Sequence, residues 1–143
     1  METDRIKFTE HLAADCPLSL KEFCSSVQKE LALPDFEFDY ENETEWGTVE
    51  HKNIEYNISR PYECGTLHKW DNSVPLNCNF RISLIIPKDS SPKYDLNWGL
   101  IELVPQIGQT LSNLFKTEIY HHRTWIGVGQ NLIRNQVFRP KSV

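Results

Sequence analysis

Hydrophobic and polar positions alternate over Ile6-Lys7-Phe8-Thr9-Glu10-His11-Leu12, the period-two pattern of a half-buried strand. Beyond Pro17 the period changes. Leu20, Phe23, Cys24, Val27 and Leu31 recur at helical spacing, and Ser19 is followed three residues later by Glu22, the sequence of a capping box. A first helix is predicted from Ser19 to about Leu31, closed by Pro34. Phe36-Glu37-Phe38-Asp39-Tyr40 alternates again, as a strand whose polar face is wholly acidic. Glu41 to Gly47 is polar and turn-like. Val49 to Ser59 gives a third alternating run, with Ile54, Tyr56 and Ile58 facing one way and Asn53, Glu55 and Asn57 the other, until Arg60-Pro61 breaks it.

Pro61 to Pro75 is rich in turn formers, yet Leu67 and Trp70 within it call for burial, so it reads as an ordered loop or a short strand with an excursion. Asn79 to Ile86 is a strong strand ending at Pro87, and its continuous apolar end marks a central position covered on both faces. Lys88 to Lys93 is a surface loop. Asp95 caps a second helix carrying Leu96, Leu100, Leu103, Val104, Ile107, Leu111, Leu114 and Phe115, with Pro105 predicting a kink or an unwound first part. Glu118 to Trp125 reads as the last strand, ended by Gly127-Val128-Gly129, and the tail from Gln130 to Val143 as a short helix with a frayed end. Residues 1–143 thus form a single α+β domain. Two helices pack on one face of a mainly antiparallel sheet, in a ferredoxin-like or split-βαβ variant.

A chain of 143 residues can build one core without disulfides or a metal. No apolar stretch approaches the roughly 20 residues of a membrane span, and Met1 to Phe8 lacks the apolar core of a secretory signal, so the expected location is the cytoplasm. Cys16, Cys24, Cys64 and Cys78 contain no CxxC pair and read as reduced, mostly buried thiols. The net charge of −5 is unevenly spread. Asp35, Glu37, Asp39, Glu41, Glu43, Glu45 and Glu50 follow one another with no Lys or Arg among them, whereas no acid follows Glu118. Such an acidic chain disfavours direct nucleic-acid binding.

Candidate chemistry is sparse. His121 and His122 are adjacent on a predicted strand and point to opposite faces, so they cannot share a metal, although His122 is available as an acid or base if it lines a pocket. Cys64 and His68, with Cys78 and His51, match no compact zinc module, and neither a metal nor a cofactor is expected. Gly127-Val128-Gly129-Gln130 follows a strand but lacks the third glycine of a dinucleotide loop, and a tight strand exit accounts for it. The segment Arg123-Trp125-Gly127-Gly129-Asn131-Arg134 stands out in composition and fits no motif. The acidic run is the sharper signal. Glu37, Asp39 and Glu41 alternate on one short strand, where their repulsion costs stability. Trp46 beside them is a residue type that anchors interfaces. Arg60-Pro61-Tyr62-Glu63 and His68-Lys69-Trp70-Asp71 place further aromatics in polar segments.

In its small acidic α+β make-up, and in the stretch Glu37-Phe38-Asp39-Tyr40-Glu41-Asn42-Glu43-Thr44-Glu45-Trp46, the chain resembles the immunity proteins that neutralise bacterial polymorphic toxins. That resemblance implies tight binding to one toxin domain, often a basic nuclease whose cleft an acidic face occludes. The partner-binding residues expected are Glu37, Asp39, Glu41, Glu43, Glu45 and Trp46. Two other classes stand beside this one. The first is a small hydrolase or transferase using His122 and a carboxylate such as Glu63 in a pocket bordered by Trp70; the second is a subunit that homodimerises through a sheet edge.

Overall fold

The computed structural model describes residues 7–63, 65–87, 98–126 and 130–141. The first alternating run forms strand β1, Lys7–Ala14, and the helical spacing after it forms helix α1, Leu20–Leu31. The capping box closes in both directions: Glu22 N–H donates to Ser19 Oγ at 3.2 Å, and Ser19 N–H donates to Glu22 Oε1 at 2.9 Å. Two of the N–H groups that every helix start leaves open are satisfied this way. At the far end Ala32 turns left-handed, with φ 54°, and its N–H closes on the Gln28 carbonyl.

Strands β2 (Glu37–Glu41), β3 (Thr44–His51) and β4 (Ile54–Pro61) follow. The run from Val49 to Ser59 is not one strand. It folds back at Lys52-Asn53, whose φ values of 53° and 67° give the double left-handed turn that suits the twist of a two-residue hairpin. The turn expected over Glu41 to Gly47 contracts to Asn42-Glu43, with β3 beginning at Thr44. Thr66–Trp70 forms a short helix, α2, where a loop or strand is predicted. Strand β5, Phe80–Pro87, lies between β1 and β4, as its apolar end requires.

Asp95 and Leu96 lie outside the described residues. Among the described residues the second long helix runs from Trp98 through a π-helical turn, Gly99–Leu103, into α3, Val104–Phe115. Pro105 lies inside the continuing helix, directly after this turn, and the wide turn before it is the irregularity the proline imposes. Strand β6, Ile119–Ile126, is not the last. The tail expected to be helical contains β7, Asn131–Phe138, paired antiparallel with β6. Most of β7 is exposed at the sheet margin, so it lacks the one-sided alternation that marks a half-buried strand.

The sheet has seven strands in the order β2-β3-β4-β5-β1-β6-β7, all neighbours antiparallel. Helix α1 packs on β3 and β4, α3 on β6 and β7, and the two helices meet. The architecture is α+β with both long helices on one face, in a sheet wider than the four strands of a ferredoxin-like fold. Phe23 of α1 stacks between Phe80 of β5 and Phe115 of α3, with ring centroids 4.1 and 4.2 Å apart, and so ties both helices to the sheet. Beneath the π turn lies a polar island. Glu10 Oε1 accepts from Thr124 Oγ1 and lies 2.8 Å from His121 Nε2, and Arg134 of β7 donates to Thr124 Oγ1 at 3.0 Å. No helix among the described residues is long and apolar enough to cross a membrane.

Two substitutions test this packing in urea melts. Leu111→Ala removes a fully buried side chain of α3 and should cost about 2–5 kcal/mol. Gly108→Ala ordinarily strengthens a helix by about 1 kcal/mol. Here a Cβ would lie 2.4 Å from Cδ2 of Phe138, so the substitution should lower stability instead; a stabilised variant would show that α3 does not press on β7 as described.

Candidate functional site

Strand alternation sends half of the sheet's side chains away from the helices, onto an open face. From β2 these are Glu37, Asp39 and Glu41; from β3, Trp46; from β5, Arg81 and Ser83; and from β1, His11 and Ala13. Strand β6 breaks the alternation. Its register against β1 slips between His11 and Leu12, leaving His122 as an extra residue. A bulge of this kind re-aims side chains. His121 points to the helix layer and meets Glu10, whereas His122 and Arg123 both reach the open face. The adjacent imidazoles are thus on opposite sides.

The segment holding α2 crosses the centre of this face, where Leu67, Val74 and Cys78 pack on Ala13 and Tyr120. Asp71 pins it. Arg123 donates from Nε and Nη2 to the two Asp71 carboxylate oxygens at 2.8 and 2.7 Å, a two-toothed guanidinium–carboxylate fork. Ser73 adds its N–H at 3.0 Å and its Oγ at 2.6 Å, and Arg81 a longer contact of 3.4 Å. Burial by itself would raise the Asp71 pKa, but the hydrogen bonds from Arg123 and Ser73 outweigh it and hold the carboxyl well below its usual range.

An ionised Asp71 fixes the proton order next to it. The one Ser73 hydroxyl proton goes to Asp71, so Ser73 Oγ must accept from His122 Nδ1, 2.9 Å away. His122 Nε2 is then a bare lone pair, buried and without a partner among the described residues. His11 lies beside it, with ring centroids 6.1 Å apart, its Nδ1 2.8 Å from Ser83 Oγ and its Nε2 also unpartnered. Burial first, and then the charge of Arg81, push the His122 pKa down to about 3 and that of His11 to about 2. Both rings are neutral near pH 7.

This order matters chemically. In a hydrolytic triad the imidazole stands between the hydroxyl it deprotonates and the carboxylate that orients it. Here the hydroxyl stands between the other two, its proton held by Asp71, and His122 gives a hydrogen bond to Ser73 instead of taking a proton from it. The carboxylate near His122 is Asp71, with Oδ2 3.8 Å from Nδ1, where sequence reasoning suggests Glu63. Trp70 does border the space above. A cleft of about 590 Å³ opens there, with Lys69, Arg81 and Arg123 as its cations, Asp71 as its carboxylate, Trp70 and Trp125 as its aromatics, and Asn72 and Asn131 as its amides. Trp125 stands edge-on to His11 at 5.4 Å.

The acidic residues form a second zone at the β2 edge. All five residues of β2 are exposed, and no ion pair engages Glu37, Asp39, Glu41 or Glu43 among the described residues. Glu41, Glu43, Trp46 and Trp70 line one shallow groove of about 310 Å³. Glu45 departs from this group. It pairs across the hairpin with Arg60, at 3.9 Å, and Arg60 lies over the Phe80 ring on the helix side. Cys16, Cys24 and Cys78 are buried free thiols, and burial pushes Cys24 and Cys78 up to about 12. His68 Nδ1 lies 2.6 Å from the Val74 carbonyl, and no cluster of metal-ligating residues occurs among the described residues. Cys64 and Gly127 to Gly129 lie outside them. Asp71, Ser73 and Arg81 escape sequence reasoning, whereas Arg123, Trp125 and Asn131 belong to the segment that stands out without a motif. No protein-family model, curated protein or solved structure matches the chain.

The neutral histidines predict acid sensitivity. Unfolded, they take up protons below pH 6.5; folded, they resist until about pH 3 and 2, so the unfolded state binds more protons and stability falls as pH falls. The loss starts near pH 6.5 and amounts to about 1.4 kcal/mol per pH unit for each ring. The depressed Asp71 carboxyl adds to it with the same sign below about pH 4. Melting temperatures measured from pH 8 to 4 should hold steady and then drop below 6.5, and the doubly substituted His11→Gln, His122→Gln protein should show a flatter profile. An equally steep profile in that variant would rule out the histidines as the cause.

Proposed function

We propose that this chain is a protein-binding domain that docks a basic partner on the acidic edge of its open face, and that the partner is a toxin domain which the binding neutralises. One observation carries the reading: Glu37, Asp39 and Glu41 stand in a row on an exposed edge strand, on one face, and no ion pair engages them among the described residues. Like charges so placed destabilise an isolated sheet, and a partner's Lys and Arg side chains relieve that cost. Trp46 and Trp70 in the adjoining groove supply the aromatic anchor that such an interface centres on. The proton order at Asp71, Ser73 and His122 favours this reading over the hydrolase, because it gives the hydroxyl no base.

The test begins with capture of the partner from a lysate of the cell that makes both proteins, followed by surface plasmon resonance. The Glu41→Lys, Glu43→Lys protein should associate about tenfold more slowly at low salt, with the difference shrinking in 0.5 M salt, since edge charges act mainly on encounter. Trp46→Ala should raise the dissociation rate instead. Glu45→Ala, on the other face of β3, should leave both rates unchanged. Loss of binding with Glu45→Ala, together with indifference to the other changes, would move the interface to the helix side.

A further inference from the structure

The cleft at the centre of the open face carries the opposite charge to the β2 edge, and we infer that it is a site for a phosphate monoester borne on a flat ring, of which a nucleoside monophosphate is the simplest example. This goes beyond the docking of a basic partner and, apart from Trp70, rests on different residues. Charge supplies the first argument. Lys69, Arg81 and Arg123 give three positive charges and Asp71 one negative, three less one, so the cleft holds +2 in a chain whose net charge is −5. The histidines below it are neutral and add nothing. A phosphate monoester carries about −1.5 to −2 near pH 7, which matches that surplus.

Unused donors supply the second. A guanidinium has five N–H groups in a fixed fork suited to phosphate oxygens. Among the described residues Arg81 gives only one of them to the protein, at 3.4 Å. Arg123 uses three, two on Asp71 and one on Asn131, which hold it in place and leave two N–H groups over. A half-buried guanidinium with so few partners gains from an anion that completes its shell.

The third argument concerns the ring. Trp70 and Trp125 line the same cleft and are 55% and 49% exposed, unusual for the largest apolar side chain. Indole faces accept flat rings by stacking. A volume of about 590 Å³ falls among sites for small ligands, whose range is roughly 300–1,000 Å³. The neighbouring carboxylates of the β2 edge repel a long polyanion, which selects a free nucleotide over a nucleic-acid strand.

Calorimetry and tryptophan fluorescence with adenosine monophosphate test the assignment, with adenosine, inorganic phosphate and a 5′-phosphorylated hexanucleotide as comparisons. Adenosine monophosphate should bind saturably and quench fluorescence, with an affinity at least about tenfold above that of adenosine or phosphate alone, because joining the two parts lowers the entropy cost of placing the second. Arg81→Gln should weaken it by about tenfold or more. Trp125→Leu, at an exposed position and so safe for folding, should weaken adenosine monophosphate while leaving inorganic phosphate as it was. Absence of saturable binding by adenosine monophosphate would overturn the proposal, as would undiminished affinity in the Trp125→Leu protein. Tighter binding of the hexanucleotide would overturn the choice of a free nucleotide.

Discussion

The Asp71–Arg123 fork joins parts of the chain that have no other reason to meet. Asp71 ends the short helix α2, in a segment otherwise held mainly by a small apolar patch, and Arg123 stands beside a bulge on the strand next to the β7 edge. Without this pair the segment would rest on the sheet mainly through Leu67, Val74 and Cys78 and the Ser73–His122 contact. With it, Ser73 is placed over His122, Arg81 is drawn toward the same carboxylate, and the space between the two tryptophans becomes a cleft rather than a flat surface. Breaking one half of such a pair leaves a buried charge unpaired, which costs more than the pair itself contributes. The position of Asp71 is therefore a condition for the cleft on that face.

The bulge in β6 is the matching constraint from the sheet. A regular strand would send His122 and Arg123 to opposite sides, placing one of them in the helix layer. The extra residue sends both to the open face while keeping His121 with Glu10 and Thr124. Two polar clusters result, one on each side of the same strand: an inner one that ties β7 to β1 through Arg134, and an outer one open to ligands.

How much of this the sequence discloses depends on the range of each interaction. The Ser19–Glu22 box and the apolar stripe of α1 are complete within one segment and are read correctly. The Lys52-Asn53 turn is hidden because Lys is no turn former and the alternation carries on past it; only the left-handed φ of both residues shows the reversal. Strand β7 is hidden because an exposed margin imposes no pattern. Placing the acidic residues needs the preceding turn, between β2 and β3. Once Asn42-Glu43 is the reversal, Thr44 and Trp46 fall with Glu41 and Asp39, and Glu45 falls on the other side. The cleft gathers residues 69–72, 81, 123, 125 and 131, and no local period can announce a site that depends on a bulge and a fork.

Strand order has a consequence for the chain as it leaves the ribosome. The first strand of the sheet to be made, β1, is an interior one, and both its neighbours come late: Phe8 pairs with Ile86 of β5 and with Ile126 of β6. Phe8, Leu12 and Ala14 therefore emerge long before the strands that pair with β1 have been translated. The nascent chain must carry a sticky apolar ribbon through most of its elongation, and topologies dominated by such distant pairings close slowly. The helix after it, with its self-contained cap, is the natural local shelter, so the two halves of the molecule differ in timing as well as in shape: one forms as it is made, the other waits for the end of synthesis.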